Sequence, residues 1–278
     1  MDLAAAEQYC RELSRHYENF SVGYWLIPPK KRQDLANIYA YCRHSDDLAD
    51  EGGEGSGESL KQWEAELEGK LQKELVHPIL IALRDTVGKN DLPLQPFRDL
   101  LTAFKQDQFK TRYETFEELL GYCKNSANPV GRIYLMLFSY KEAELFRLSD
   151  EICTGLQLAN FWQDVALDLD KGRIYIPRED MMRFGYGEER LCRREYCREF
   201  RELMEYECRR TGEFFRRGKE LEGMLPWRLS FEVRLFRRGG EKVLEKIRRL
   251  DYNVLNKRAV MSHWDKAGTF LHSFISAK

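Results

Sequence analysis

QLANFWQDVALDLDKGRIYIP, residues 157–177, combines a helical pattern of apolar residues with a row of acids. Apolar side chains recur beside acids at helical spacing, and neither Pro nor Gly separates the acids. At 3.6 residues per turn, Asn160, Asp164 and Asp168 would form a ladder on one helix face. The pattern predicts a helix over 149–169 that belongs to the core and carries a row of oxygen ligands.

A second acidic cluster lies earlier, in YCRHSDDLADE at residues 41–51, and comprises Asp46, Asp47 and Asp50. Asp46 and Asp50 are one turn apart and project from one face. Like charges at this spacing cost a helix roughly 0.2–0.5 kcal/mol per pair. Because the chain does this twice, cations are expected to offset the repulsion. Oxygen ligands suit Mg²⁺, which commonly bridges carboxylates to phosphate. We infer a diphosphate held by magnesium between two facing helices.

The alternative reading of such acids is a solvated helix face, which is the usual role of an Asp pair. The flanking residues argue against it because both helices are heavily apolar, and acids on core helices need partners or a metal. The apolar neighbours are Leu48, Ala49, Leu156, Leu158, Ala159, Phe161, Trp162 and Val165.

Composition excludes several classes of function. The formal net charge of −1 leaves no electrostatic footprint for nucleic acid. No apolar run approaches the length of a membrane span. The seven cysteines are scattered without a Cys-x-x-Cys pair, and no signal peptide is evident. These features predict a cytoplasmic protein with reduced thiols packed as small apolar groups.

Pro and Gly lie at positions typical of helix starts and ends, and few segments show a strand pattern. The pattern predicts one all-α domain over residues 1–278, with its helices around a central cavity. The expected helices run from Pro28-Pro29 through Asp50, over 59–75, over 79–87, from Pro93 and Pro96 through Phe109, over 114–125, 130–146, 149–169, 194–219 and 227–249.

Polar side chains flank both acidic clusters. Tyr39 and Arg43 precede the first cluster on nearly the same helical face. The guanidinium of Arg43 is a natural bidentate partner for phosphate oxygens. Gln157 lies one turn before the second ladder, and Arg173 and Tyr175 follow it.

Aromatic residues near the acids predict an apolar lining, although each alone is more simply explained as core. Ring faces stabilise carbocations, and a dry pocket delays their capture by water. The chemistry indicated is ionisation of an allylic or cyclopropylcarbinyl diphosphate, with magnesium and Arg stabilising the leaving charge. The aromatic candidates are Phe20, Tyr24, Trp25, Tyr134, Phe138, Phe161 and Trp162.

Together the two motifs resemble the signature motifs of the squalene and phytoene synthase family, and the resemblance runs from about residue 8 to 262. It implies an all-α isoprenoid-synthase fold in which the motifs face each other across a central cavity. It also implies Mg²⁺ ligands at Asp46, Asp50, Asn160, Asp164 and Asp168. A substrate site lined by Phe20, Tyr39, Arg43 and Gln157 is implied as well. Asn19 and Tyr39 are candidates to hold a water molecule.

Four positions depart from the pattern of family members that join two prenyl diphosphates. Glu18 stands in YENF where a Ser-Lys-Ser-Phe segment is usual. Gln163 replaces an Arg just before the central Asp of the second motif, and Gly240 aligns with a common Tyr. These three changes remove contacts for diphosphate, whereas Arg132 adds a positive charge where many members have Glu. Taken together, the four positions favour a site that binds one diphosphate.

YENF and SANPVGR also resemble the hydroxysqualene synthase branch of bacterial hopanoid biosynthesis. That resemblance implies presqualene diphosphate as substrate, water as the quenching nucleophile and no need for NADPH. Two alternatives stay open. One is head-to-head condensation of prenyl diphosphates to presqualene diphosphate, squalene or phytoene. The other is a non-catalytic assembly partner. Transient contact with the inner membrane and association with neighbouring pathway enzymes are also left open.

Overall fold

Every regular element that the computed structural model describes is a helix, which confirms the predicted all-α fold. The described residues are 2–15, 27–51, 56–69 and 77–260. The helices are α1 (Leu3–Arg15), α2 (Pro29–Glu51), α3 (Ser56–Leu67), α4 (Pro78–Asn90), α5 (Gln95–Gln106), α6 (Phe116–Ser126), α7 (Asn128–Leu137), α8 (Ala143–Gln163), α9 (Val165–Asp170), α10 (Arg178–Arg183), α11 (Glu188–Cys192), α12 (Arg198–Gly218), α13 (Leu221–Met224) and α14 (Trp227–Arg249).

The chain divides into two compact units. The first comprises Met1–Phe109 with Arg132–Lys141, and the second comprises Lys110–Gly131 with Glu142–Lys278. Helices α1 to α5, and with them the first acidic cluster, belong to the first unit, whereas the second ladder belongs to the second. The single domain over 1–278 and the cavity between the motifs stay predictions.

Helix α2 is the central element of the first unit and packs against α1, α3, α4 and α5. Tyr41 is fully buried, and its hydroxyl donates to the carbonyl of Phe97 at 3.0 Å. Its ring stacks on Trp63, whose indole N–H donates to Ser45 Oγ at 2.9 Å. Because buried polar groups need partners, these bonds fix the rotation of α2 about its axis. The face that carries Arg43 is left partly exposed.

Helix α8 has the same role in the second unit, where it packs against α6, α12, α13 and α14. Close approach depends on glycine, because a Cβ at Gly155 would meet the Phe215 ring and one at Gly218 would meet Ile152. The indole of buried Trp162 donates to Thr211 Oγ1 at 2.7 Å and ties α8 to α12. These contacts place the C-terminal end of α8, where the acidic ladder begins.

A buried ionic cluster joins α12 to α10. Arg210 donates to Asp180 Oδ2 at 2.6 Å and to Glu207 Oε2 at 2.7 Å, and its guanidinium lies 3.3 Å from the ring centre of Phe116. Burial raises the pKa of Glu207 from 4.5 to about 8, although Arg210 acts in the opposite direction. One guanidinium between two buried carboxylates favours retention of a proton on the pair.

Some helices begin and end where the sequence pattern predicts, and others do not. The predicted helix over 227–249 is α14, whereas the one predicted over 130–146 ends at Leu137. The chain turns there because Ser139 adopts a positive φ of 68°. The helix predicted over 59–75 ends at Leu67, and residues 70–76 lie outside the described ranges.

Two simpler expectations concern the thiols and the membrane. All seven cysteines are free. Cys10, Cys123 and Cys208 are buried, as predicted for small apolar packing groups, whereas Cys192 is exposed and the other three are partly exposed. Within the residues that were described, no helix is long and apolar enough to cross a membrane.

Candidate active site

In the first acidic cluster, one arginine pairs with two acids and offsets one of their two negative charges. Arg43 Nη1 lies 3.1 Å from Asp46 Oδ2, and Arg43 Nη2 lies 2.5 Å from Asp47 Oδ1. All three side chains are about one-third exposed, with values between 31% and 43%. A guanidinium on the same helix therefore offsets part of the negative charge of Asp46 and Asp47. The sequence places it there because residues three and four apart share a face.

Other groups beside the first cluster are held in their neutral forms. Burial lowers the pKa of His44, against the opposing influence of Asp47. Burial, with a contribution from Asp46, raises the pKa of Cys42 to about 12. Arg43 is thus the positively charged neighbour that a diphosphate would meet beside these acids.

Tyr39 is half-buried on α2, one turn before Arg43. The backbone of Asp50 belongs to α2, and its side chain lies outside the described residues, as do Asn19 and Phe20 entirely. The roles assigned to these four residues stay predictions.

The second ladder lies on two successive helices, because the helix predicted over 149–169 is interrupted at Asp164. Helix α8 ends at Gln163, and Asp164 has φ −108° and ψ 16°, outside the helical range, before α9 begins. The backbone N–H of Asp164 still donates to the backbone carbonyl of Asn160 at 3.0 Å. The backbone carbonyl of Asp164 accepts from the backbone N–H of Asp168 at 2.9 Å. The break therefore keeps the helical hydrogen-bond pattern on both sides of Asp164.

A segment far along the chain holds both side chains at this break. Arg258 donates from Nε to Asp164 Oδ1 at 2.7 Å and from Nη2 to Asp164 Oδ2 at 3.0 Å. The Gln163 side-chain amide donates to the carbonyl of Ala259. The hydrogen bond to Asp164 raises the pKa of Arg258. Sequence reasoning missed Arg258 because 94 positions separate it from its partner and no local periodicity connects them.

Downstream of the break, Asp168, Arg173 and Tyr175 line one small recess, and their roles in binding metal and substrate stay predictions. The Arg173 amide donates to the carbonyl of Asp168 at 2.8 Å and closes the turn after α9. The recess is otherwise apolar, with Phe161, Val165, Leu169, Ile174, Ile176 and Leu191.

Tyr175 belongs to an aromatic cluster that the sequence did not reveal. Its ring stacks on Phe161 with centroids 3.9 Å apart, and it contacts Tyr113 at 5.7 Å and Tyr122 at 5.9 Å. Tyr113 lies in the loop before α6, where helical periodicity gives no signal. The ring of Tyr175 therefore anchors the loop after α9 to the unit's core, and its predicted contact with substrate stays a prediction.

Gln157 and Asn160 lie one turn apart near the end of α8, half-buried and exposed respectively. They precede Asp164 on the same side of the helix, as helical spacing requires. Their predicted roles in binding substrate and metal stay predictions.

The donor chemistry of the second ladder fits Mg²⁺. Asn160, Asp164 and Asp168 offer amide and carboxylate oxygens, which are the ligands that a hard divalent ion prefers. Among the side chains that were described, no group of three His, Cys, Asp or Glu has already converged on a metal position. A metal at Asp164 would share that carboxylate with Arg258 or replace it there.

Comparison with known proteins agrees with this fold and these motifs. The squalene/phytoene synthase family matches residues 13–265. A phytoene synthase from Arthrospira platensis is 32% identical over 93% of this chain and 89% of its own length. A solved structure described as squalene synthase HpnC from Alicyclobacillus acidocaldarius is 40% identical, with a TM-score of 0.86 over 90% of this chain and 96% of its own.

A dehydrosqualene synthase solved with a ligand shares the fold, with a TM-score of 0.87 at 24% identity over 99% of this chain and 98% of its own. The family match spans both acidic motifs and most of the chain. This chain therefore belongs to the squalene/phytoene synthase family, whose all-α enzymes act on prenyl diphosphates.

Proposed function

We propose that this enzyme is a hydroxysqualene synthase. The C–O bond of presqualene diphosphate breaks, diphosphate leaves with the electron pair, and the cyclopropylcarbinyl cation rearranges. Water then adds to the rearranged cation and loses a proton, which gives hydroxysqualene. No electron is gained or lost overall, so the proposal needs Mg²⁺ but no NADPH.

The observation that carries the proposal is the bonding of Gln163. Members of the family that join two prenyl diphosphates usually have an Arg at this position, as a contact for diphosphate. Here the residue has no charge, and its amide donates to the backbone carbonyl of Ala259. A donor committed to a protein carbonyl contributes less to a second diphosphate than a free guanidinium does.

Gly240 supports the same reading. The aligned position often carries a Tyr, but a Cβ at Gly240 would come within 3.0 Å of the Phe215 ring and of Leu156 Cδ2. Phe215 is fully buried, so the space in front of Gly240 is filled by this chain's own core. A tyrosine hydroxyl is therefore not available there to bind phosphate.

The remaining residues have distinct tasks in the proposed reaction. Arg43 presents a planar fork that matches phosphate oxygens. Asp46, Asp50, Asn160, Asp164 and Asp168 would hold magnesium, which stabilises charge on the leaving diphosphate. Tyr39 and Asn19 are candidates to hold the water that quenches the cation.

The second candidate is head-to-head condensation, and two observations favour it. The relative from Arthrospira platensis is named a phytoene synthase. In addition, Arg258 places a cation at Asp164, which offsets the charge missing at Gln163. A non-catalytic assembly role is the third alternative, and turnover of either substrate would exclude it.

One incubation separates these functions. Purified enzyme with Mg²⁺ and without NADPH receives either presqualene diphosphate or farnesyl diphosphate, in ¹⁸O-labelled water. We expect a C30 alcohol with one labelled oxygen from presqualene diphosphate and little product from farnesyl diphosphate alone. Efficient conversion of farnesyl diphosphate to a C30 diphosphate or hydrocarbon would overturn the proposal in favour of condensation.

The proposed product is strongly apolar, so transfer to a membrane or to a neighbouring enzyme is part of the proposal. A cytoplasmic location with transient contact at the inner membrane stays a prediction. Cosedimentation of the enzyme with vesicles during turnover tests it.

A further inference from the structure

We propose that Arg258 competes with magnesium for Asp164, so that metal binding frees the Arg258 side chain and loosens the exposed residues around it. We call the segment that carries this arginine, residues 252–260, the strap. The inference rests on the metal assignment made in the proposed function. It adds a residue that no acidic motif contains and gives it a positioning role.

The geometry of the ion pair makes the competition direct. Both carboxylate oxygens of Asp164 accept hydrogen bonds from Arg258, at 2.7 and 3.0 Å. A Mg²⁺ ion on either oxygen would lie close to the guanidinium, and two cations at one carboxylate repel each other. The divalent ion gains more from the acid than the guanidinium does, so it is the guanidinium that moves.

The exposed part of the strap lies between buried residues. Val254, Leu255 and Ala259 are buried and anchor it, whereas Asn256, Lys257 and Arg258 are exposed. Beyond Leu255, the Arg258 ion pair and the hydrogen bond from Gln163 to the carbonyl of Ala259 hold the strap to the end of α8. Loss of the ion pair would leave that hydrogen bond and the buried Ala259 to hold this end, so the exposed residues between the anchors would loosen.

The strength of the pair suits a reversible exchange. The side chains of Arg258 and Asp164 are 50% and 27% exposed, so solvent screens their attraction. Ion pairs this exposed change an equilibrium constant by about two- to fivefold. Arg258 therefore neutralises the acid in the metal-free enzyme without preventing metal from binding.

The test is a calorimetric titration of the substrate-free enzyme with MgCl₂, on the parent, on Arg258→Gln and on a matched control. The control is Arg194→Gln, whose parent side chain pairs with Asp170 on α9 at 2.5 Å and is similarly exposed, at 39%. We expect Arg258→Gln to bind Mg²⁺ about two- to fivefold more tightly, and Arg194→Gln to match the parent.

Hydrogen exchange at the backbone amides of residues 256–260 gives a second readout. In the parent, exchange should accelerate when Mg²⁺ is added, whereas in Arg258→Gln it should already be fast without metal. The inference would be overturned if the parent and Arg258→Gln bound Mg²⁺ with equal affinity. It would also be overturned if hydrogen exchange in the strap of the parent did not change when Mg²⁺ was added.

The outcomes also separate this inference from the proposed function. If the affinity is unchanged while presqualene diphosphate is still converted to the alcohol, only the competition fails. If the affinity rises while condensation is the reaction observed, the competition stands and the proposed product is wrong. Absence of any Mg²⁺ binding to the parent would overturn the competition together with the metal assignment.

Discussion

The ring of Phe215 fills the space in front of Gly240, so that a single added methyl group would come within 3.0 Å of the ring. Gly155 on α8 approaches the same ring from another helix. The glycine at position 240 is therefore a packing requirement of the contact between α8, α12 and α14. A departure from the family pattern thus has a structural cause inside this chain.

We predict that Gly240→Ala destabilises the protein by about 1–3 kcal/mol, because extra volume in a packed core forces side chains off their preferred rotamers. Gly239→Ala is the matched control. Its Cβ would meet nothing within 4 Å, so the change should be neutral or stabilising by up to about 1 kcal/mol. Urea unfolding measures both. Equal stability of the two variants would contradict the packing argument.

The buried carboxyl of Glu207 predicts a pH dependence of stability. Its pKa rises from 4.5 to about 8 on folding, chiefly through burial. Between these values the folded state keeps a proton that the unfolded state releases, so the free energy of unfolding falls as pH rises. The contribution is complete below pH 4.5 and is lost as pH passes about 8.

Glu207→Gln keeps the shape of the side chain and removes the titration. Its stability should depend less on pH than that of the parent between pH 5 and 8, by at most about 1.4 kcal/mol per pH unit. Chemical denaturation at several pH values measures the difference. Glu205→Gln, at a partly exposed position on the same helix, is the control. A parent-like slope in Glu207→Gln would contradict the assigned pKa.

Much of the fold could be predicted from local patterns. The ends of α14 follow from an apolar stripe that begins after Pro226 and continues without Pro to Arg249. The break at Asp164 could not be predicted in this way, since no Gly or Pro marks it. It coincides with contacts from Arg258 and Ala259, which only the folded chain brings near.

The residues of the candidate site also fall into those that local sequence spacing could predict and those that it could not. Helical spacing could predict that Arg43 shares a face with Asp46, because the two are three residues apart. The same reasoning expected a diphosphate as the arginine's partner, and the structure shows Arg43 paired with Asp46 and Asp47 of its own helix. The pairing of Asp164 with Arg258 depends on tertiary structure, so it has no signature in either motif.

Arg43 gives a prediction about substrate binding. Arg43→Ala should weaken binding of a non-reacting diphosphate analogue by about tenfold to a hundredfold, because charge-assisted hydrogen bonds are lost. Arg43→Lys should recover part of this, since it restores the charge but not the planar fork. Calorimetry with Mg²⁺ present measures the affinities.

The control for Arg43 is Arg98→Ala. Arg98 pairs with Glu68 at 3.0 Å and is similarly exposed, but it lies on α5 and its partner is not one of the acids of the first cluster. Its substitution should leave affinity unchanged. If Arg43→Ala and Arg98→Ala bind the analogue equally well, Arg43 serves only to neutralise Asp46 and Asp47.

Asp164 and Asp170 provide the sharpest test of the metal assignment, because both are acids near the α8–α9 break and each pairs with an arginine. Asp164→Asn should lower kcat by more than the roughly 10- to 100-fold that loss of an outer partner of a metal ligand costs. Asp170→Asn should retain activity.

Relief of like-charge repulsion alone would leave the stability of Asp164→Asn unchanged or slightly higher. The ion pair with Arg258 instead predicts a loss of up to about 1 kcal/mol. Product formation at saturating Mg²⁺ and urea unfolding measure the two effects, and near-parental turnover by Asp164→Asn would remove this residue from the metal site.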